Sequence, residues 1–464
     1  MKFFQLLALC GLTSGLVACA AQQPPAIPER TALRPPVAKK TVPRDGGAAA
    51  ARLSPTTGTL TLEAAIETAL LSNPSLRADF AAFEAAALEV PQASSLMDPR
   101  VTYTQFVDGV QTRVGEQQFV AGVSQMFPWF GKLRLQGDVA RSDAMQALES
   151  YRARMLDVRA QVRRAWYRLA HEQAALALAE EDKRAIEQTL EAAAALYGAG
   201  QRGRGALLQS QTELARIENE LTGYPARIAA LRQELARLLF VEDLGGVPAL
   251  DEAEAAVMAV AEAEVLIAEA VALRPEIERF RLAEEQAELR HELALKDDYP
   301  DFTVGLNYIG VGDRPDNPMG AMAPPDEGDD AWGVSLGLNI PIPNARRRAA
   351  KDQALRQREA AEWRRIAAES EIEEEVRTLL PRLETLARQR DVLRGSLLPL
   401  VQEAYATNEA AYTSGQATFL DLLNAQRTLI AVRRDLLRTR LDTLLTLADL
   451  ERAVGGSLAK EELR

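Results

Sequence analysis

A mainly α-helical fold with a small β part is what this sequence predicts: long coiled-coil-like helical hairpins plus four β-strands per chain. Three observations predict it. Composition is rich in Ala, Leu, Glu and Arg, with aromatics at only 5%, which favours long helices over a sandwich or an α/β core. No proline interrupts the chain from Lys132 to Tyr197, and at ~1.5 Å per residue such a helix runs to roughly 100 Å, more than an ordinary globular domain needs. Strand, helix and turn signals then recur in the second half at nearly constant offsets, the mark of a duplicated unit.

The first 18 residues predict an export signal. Lys2 precedes a largely apolar run, and small residues lead to Leu16-Val17-Ala18-Cys19. That tetrad has the form of a lipoprotein cleavage site, so Cys19 is expected to become a lipidated N-terminus. An incidental cysteine after a differently cleaved signal is the alternative. Residues 19–58, with seven prolines from Pro24 to Pro55, form a tether without apolar periodicity. A single mature thiol excludes an internal disulfide framework.

The first repeat spans 59–245. Thr61 is positioned to cap a helix from Leu62, Asn73-Pro74 interrupts it, and a further helix runs to about Val90 before Pro91. VTYTQFV (101–107) has strand character, Asp108-Gly109 is a turn signal, and FVAGVSQMF (119–127) is the return strand. After Pro128-Trp129-Phe130-Gly131 the long helix begins, with a seam at Met145, Leu148, Tyr151, Met155, Val158, Val162, Trp166 and Leu169. Steps of three and four make it a lengthwise packing face. YGAGQRGRG (197–205) is a turn, and a second helix returns from Ala206 to Leu239 with a break at Gly223-Tyr224-Pro225.

The second repeat, 246–456, follows the first, and 457–464 is a tail. Pro74 and Pro99 correspond to Pro275 and Pro300 at an offset of 201. Strands near 300–311 and 331–342 match those near 100–108 and 117–128. YTSGQ (412–416) matches YGAGQ (197–201) at an offset of 215. An acidic insertion, 313–330, separates the later strands. Four amphipathic strands cannot close a membrane barrel, for which roughly eight is the minimum, and an open edge cannot face lipid. If they span a bilayer, the barrel is shared between chains; the pattern alone does not choose two copies or three.

TLTLEAAIETALLSNPSL, QMFPWFGKLRL, YGAGQ and YTSGQATFLDLLNAQRTL, in that order and doubled, resemble the outer-membrane efflux proteins, the TolC-like channels, in their lipoprotein branch. The resemblance runs from Leu60 to about Val454. It implies a homotrimer with a shared twelve-stranded barrel in the outer membrane of a Gram-negative bacterium. A helical tunnel would cross the periplasm to meet an adaptor (membrane fusion protein) and an inner-membrane transporter of resistance-nodulation-division type. It implies docking tips at Tyr197, Gly200 and Gln201 and at Tyr412, Gly415 and Gln416. It also implies a pore constriction at Asp421, the first of two aspartates ringing the pore in the best-known relatives. The second position is Asn424 here, and Gln416 replaces a basic partner found in some relatives. Arg202 and Arg204 are candidate substitutes. The expected function is passive export of substrates, with no cofactor beyond the lipid on Cys19.

Other chemistry is weakly encoded. A net charge of −12 argues against nucleic acid as a partner. GAGQRG (198–203) fits a dinucleotide fingerprint but follows a helix rather than a strand. His171 and His291 are the only histidines, so a catalytic zinc cluster is not expected. Glu373, Glu374 and Glu375 are expected to form a solvated helix face, and Met319 and Met322 are weak evidence for copper. Trp129, Phe130 and Trp332 fit either an interfacial belt or junction packing. A non-conducting structural lipoprotein and a periplasmic adaptor are the rival readings. The paired strands argue against the first, and the lack of a lipoyl-like module against the second.

Overall fold

The structure is a computed structural model that describes residues 60–198, 204–242, 244, 246, 262–314 and 325–456. Cys19, the tether, Gly200, Gln201, Arg202, Met319, Met322 and the tail lie outside the described residues. Helices α1 (Leu62–Ser72) and α2 (Pro74–Ala93) precede strands β1 (Arg100–Thr112) and β2 (Gly115–Phe127). Helices α3 (Lys132–Gly198), α4 (Arg204–Leu221) and α5 (Tyr224–Leu239) complete the first repeat. The second comprises α6 (Ala263–Leu273), α7 (Pro275–Lys296), β3 (Phe302–Gly312), β4 (Ala331–Leu338), α8 (Ala345–Val392), a π-turn (Leu393–Leu397), α9 (Leu398–Thr413) and α10 (Phe419–Val454).

Two compact units result, and each draws on both repeats. The first holds residues 81–148 and 279–365, the second 60–80, 149–278 and 366–456, as far as these are described. The second unit begins with α1, whose N-cap Thr61 accepts a hydrogen bond from the Ala64 N–H at 3.2 Å. Pro74 disfavours helical geometry at Asn73, which ends α1. The Asn73 side chain then accepts from the Ser75 N–H at 2.9 Å, starting α2. The predicted α3 seam is largely buried: Leu148, Tyr151, Val158, Val162, Trp166 and Leu169 lie in the core, with Met145 and Met155 half-buried. Ala179 and Ala193 on the same helix are buried too, each at 1% exposure.

The first unit contains a four-stranded antiparallel sheet in the order β1-β2-β3-β4, so the two repeats meet at the β2–β3 pair. Three expectations change here. Asp108-Gly109 is not a turn; it lies within β1, where the register shifts between Gln105 and Val110, and the hairpin reverses at Arg113-Val114. Gly115 follows that turn with φ +142, and a Cβ there would fall 1.9 Å from the Gly312 carbonyl oxygen, so only glycine fits. β4 stops at Leu338 rather than running to 342, because Pro341 and Pro343 lack the N–H a ladder needs, and Asn339 turns to Asp301 instead. Pro91 does not end α2, which continues to Ala93.

Sheet register separates two faces. Residues directly opposite one another share a face. One face carries the rows Phe127/Phe302/Leu338, Gln125/Val304/Leu336, Val101/Val123/Leu306/Val334 and Tyr103/Ala121/Tyr308/Trp332. The other carries Arg100/Ser124/Gly305/Ser335 and Thr102/Gly122/Asn307/Gly333. The first face is therefore mostly apolar, and the second is small or polar in these rows, with Met126, Val120 and Ile309 in the rows that flank them. Val101, Val334 and Leu336 remain 78%, 80% and 72% exposed, so among the described residues nothing covers the apolar face there. No described helix is long and apolar enough to cross a membrane.

Candidate functional site

Glycine and a capping residue build the second tip. α9 ends at Thr413, Gly415 takes φ +82, and the Gln416 and Ala417 N–H groups both donate to the Ala411 carbonyl, at 2.7 and 3.0 Å. That left-handed geometry reverses the chain between α9 and α10. Thr418 then caps α10: its hydroxyl accepts from the Asp421 N–H at 3.2 Å, while the Asp421 carboxylate accepts from the Thr418 N–H at 3.0 Å. This reciprocal pair is a capping box with Asp in the acidic position. The two hydrogen bonds from Thr418, side chain first and backbone second, hold the exposed Asp421 carboxyl below the usual carboxylate range.

Both tips converge. Tyr412, Phe419, Leu422 and Leu423 form a buried cluster, and Ala192, Leu196, Ala206 and Tyr405 pack against it. The Tyr412 and Phe419 rings meet edge to face at 5.9 Å. Thus α3 and α4, which flank the first tip, are seated on the second. Arg427 pairs with Glu213, and Arg434 reaches Glu220 at 3.1 Å and the buried Asp182 at 3.5 Å, tying the hairpins together. Tyr197 is 45% exposed at the end of α3. Gln416, Asp421 and Asn424 are exposed, the last two three residues apart on α10. Asp421 therefore satisfies a local need of its helix in addition to any outward role. The Thr-x-x-Asp spacing was visible in the sequence, whereas Glu213 and Arg427, 214 positions apart, carry no local signal.

The cap predicts a pH effect. Because the folded carboxyl titrates lower than the unfolded one, its stabilisation is fully present above the unfolded value, ~3.9, and is lost as pH falls through the folded value. Hydrogen exchange in peptides covering residues 415–425, measured against the intrinsic rate at each pH, is expected to accelerate selectively in acid. Thr418→Ala is expected to accelerate it at neutral pH too, by weakening a cap worth about 1 kcal/mol. Exchange unchanged by both would remove the cap from the account.

At the helix side of the sheet a second polar centre holds the strand-to-helix crossings. Asp301 accepts from the Trp129 N–H at 2.8 Å, from Lys132 Nζ at 3.0 Å and from Asn339 Nδ2 at 3.2 Å. Burial tends to raise the Asp301 carboxyl, but the Trp129, Lys132 and Asn339 contacts outweigh it and hold it below its ordinary value. Above this centre Trp129 stacks on Tyr299 at 5.1 Å and on Phe302 at 5.5 Å, with Phe130 against both Trp129 and Phe302. Tyr103, Phe119, Tyr308 and Trp332 make a second aromatic group toward the other end. Trp129 and Phe130 thus pack at the junction, while Trp332 belongs to the far group. Phe302 and Tyr308 are six residues apart on β3, about 20 Å at ~3.3 Å per residue.

The acidic insertion is anchored where it is described. Gly328 N–H donates to the Val114 carbonyl at 2.7 Å, Arg113 pairs with Asp326, and Asp330 accepts from the Val311 N–H at 3.0 Å. Glu375 is not solvated as expected: it is half-buried between Arg274 at 2.8 Å and Arg452 at 3.4 Å, while Glu373 pairs with Arg377. Packing of α8 against α6 and α10 turns that position inward, which a run of three glutamates does not reveal. Among the described residues no three or more His, Cys, Asp or Glu side chains converge as for a metal ion.

A family profile described as outer membrane efflux protein matches residues 65–239 and 266–456. The CusC structure, reported in connection with folding and transmembrane channel formation, aligns with a TM-score of 0.71 at 19% identity, over 85% of this chain and 92% of that one. The open-state outer membrane channel MtrE of Neisseria gonorrhoeae gives 0.69 at 20% identity, over 86% and 89%. The outer membrane protein VceC of Vibrio cholerae gives 0.67 at 20% identity, over 86% and 96%. At such identities these structures establish the fold. No curated protein matches the chain by sequence.

Proposed function

The chain belongs to the outer membrane efflux protein family, and from that premise we propose that it is the outer-membrane channel of a tripartite export system, assembled as a trimer. Substrates pass through it passively, delivered by a resistance-nodulation-division pump through a periplasmic adaptor, and Cys19 carries a lipid anchor. One observation carries the reading: the two-faced sheet with unpaired outer edges at β1 and β4. A mostly apolar face flanked by aromatic groups and a smaller, more polar opposite face match lipid and lumen. Free edges in a bilayer require neighbouring copies, since unpaired backbone groups there cost several kcal/mol each. Three copies supply twelve strands, in keeping with the family. A non-conducting spacer has no use for a polar inner face.

In this reading Asp421 from three copies rings the tunnel and favours cations. The capping box provides a clean separation of charge from helix stability. Asp421→Asn removes the charge and keeps an acceptor for the cap; Thr418→Ala keeps the charge and weakens the cap. In planar bilayers Asp421→Asn is expected to lower cation preference several-fold while Thr418→Ala leaves it unchanged. Equal effects, or none from Asp421→Asn, would reject the electrostatic gate.

A further inference from the structure

The charges flanking the sheet are sorted by end. Acidic groups, among them Asp313, Asp326, Asp329 and Asp330, crowd the loop side. At the opposite end, where α3 and α8 begin, cations predominate. A cleft of about 310 Å³ there is lined by Lys132, Asn344, Arg346 and Arg347 together with Asp297 and Asp301. Its inner cations are already matched: Lys132 lies 3.4 Å from Asp297 and 3.0 Å from Asp301, while Arg347 and Lys351 reach Asp298. Arg346 and Arg348 are exposed and have no ion pair or side-chain hydrogen bond among the described residues.

Apolar groups border those cations. Ile340, Ile342 and Phe130 are 79%, 70% and 78% exposed. An isolated basic patch would suit any anion; uncovered isoleucines leading directly into it suit an amphiphile. A guanidinium binds phosphate oxygens through paired N–H donors, and an anionic leaflet attracts each nearby Lys or Arg. Resting on the membrane-spanning reading of the sheet, we infer that the helix-side rim is a binding surface for anionic phospholipid, with the headgroup phosphate on Arg346 at the cleft and acyl chains along Ile340 and Ile342. Arg348, two residues further along α8, points to a different side of the helix. It adds attraction to the same leaflet without gripping the same phosphate.

Native mass spectrometry of the full-length protein in neutral detergent tests this, titrating phosphatidylglycerol against phosphatidylethanolamine, with inorganic phosphate as competitor. Phosphatidylglycerol is expected to be retained preferentially. Arg346→Gln is expected to weaken it about fivefold, the loss of one cation near an anionic headgroup, with Arg346→Lys retaining most of the preference. Arg314→Gln, at the far end of the sheet, is expected to change nothing. Equal retention of the two lipids, an Arg346→Gln variant with intact preference, or displacement of the lipid by millimolar phosphate would overturn the inference. Channel currents from the same sample separate the two proposals. Currents without lipid preference refute only the lipid surface, whereas lipid preference without currents counts against the channel.

Discussion

Arginine introduced at both Leu306 and Val334 is expected to abolish assembly in the outer membrane. These residues are paired across β3 and β4 in the row shared with Val101 and Val123, between the two aromatic groups. An arginine near the bilayer midplane costs about 2–4 kcal/mol, and a trimer would carry the pair three times. Membrane fractionation and the mass of the extracted oligomer report the outcome. Ser335→Arg, on the same strand but the opposite face, is the control, expected to assemble and to alter conductance instead. Assembly of the Leu306/Val334 variant with failure of Ser335→Arg would invert the assigned faces.

The second large effect lies in the other unit. Arg274 has a side chain only 7% exposed, held at 3.0 Å from Glu276 and 2.8 Å from Glu375. Arg452 joins the network at 3.4 Å from Glu375 and 2.7 Å from Asp157. Gly455 closes α10 with φ +86, where a Cβ would lie 3.2 Å from Arg274 Cγ. Breaking a buried pair costs about 3–5 kcal/mol because the partner charge is stranded. Glu375 keeps Arg452 and is about one-third exposed, so a loss near the lower limit, about 3 kcal/mol, is expected for Arg274→Ala. Burial tends to raise the Glu276 carboxyl, but the hydrogen bond and charge of Arg274 outweigh it and depress it. Its stabilisation is therefore present above the unfolded value, ~4.3, and lost as pH falls through the folded one. Unfolding followed from pH 7 to 3 is expected to show a shallower acid decline for Arg274→Ala than for the parent protein. Parallel curves would dismiss the network as a source of pH dependence.

Local chemistry decided what the sequence could reveal. Thr61, the seam of α3 and the tip glycine Gly415 all act over a few residues, and each stands where its spacing implied. The duplication was legible because proline and strand patterns repeat, yet pairing of β2 with β3, which fuses the repeats into one sheet, has no local signature. Asp108-Gly109 misled because a strand irregularity and a turn use similar residues; only the neighbouring β3, crowding Gly115, distinguishes them. The π-turn before α9 escaped notice as well. Pro399 would crowd the carbonyl of Gly395 in regular helix, and the wider turn relieves it. At the tip, the sequence located the exposed Asp421 and Asn424 but not the Tyr412 cluster beneath them, since Ala192, Leu196 and Ala206 come from the other repeat.

Planar-bilayer conductance of the full-length protein, with oligomeric mass measured on the same solubilised sample, tests the central claim most directly. A trimer with small, mostly closed currents that enlarge when the tip is altered by Gly415→Val is the predicted result. A monomer or dimer that never conducts, even with the altered tip, would contradict it.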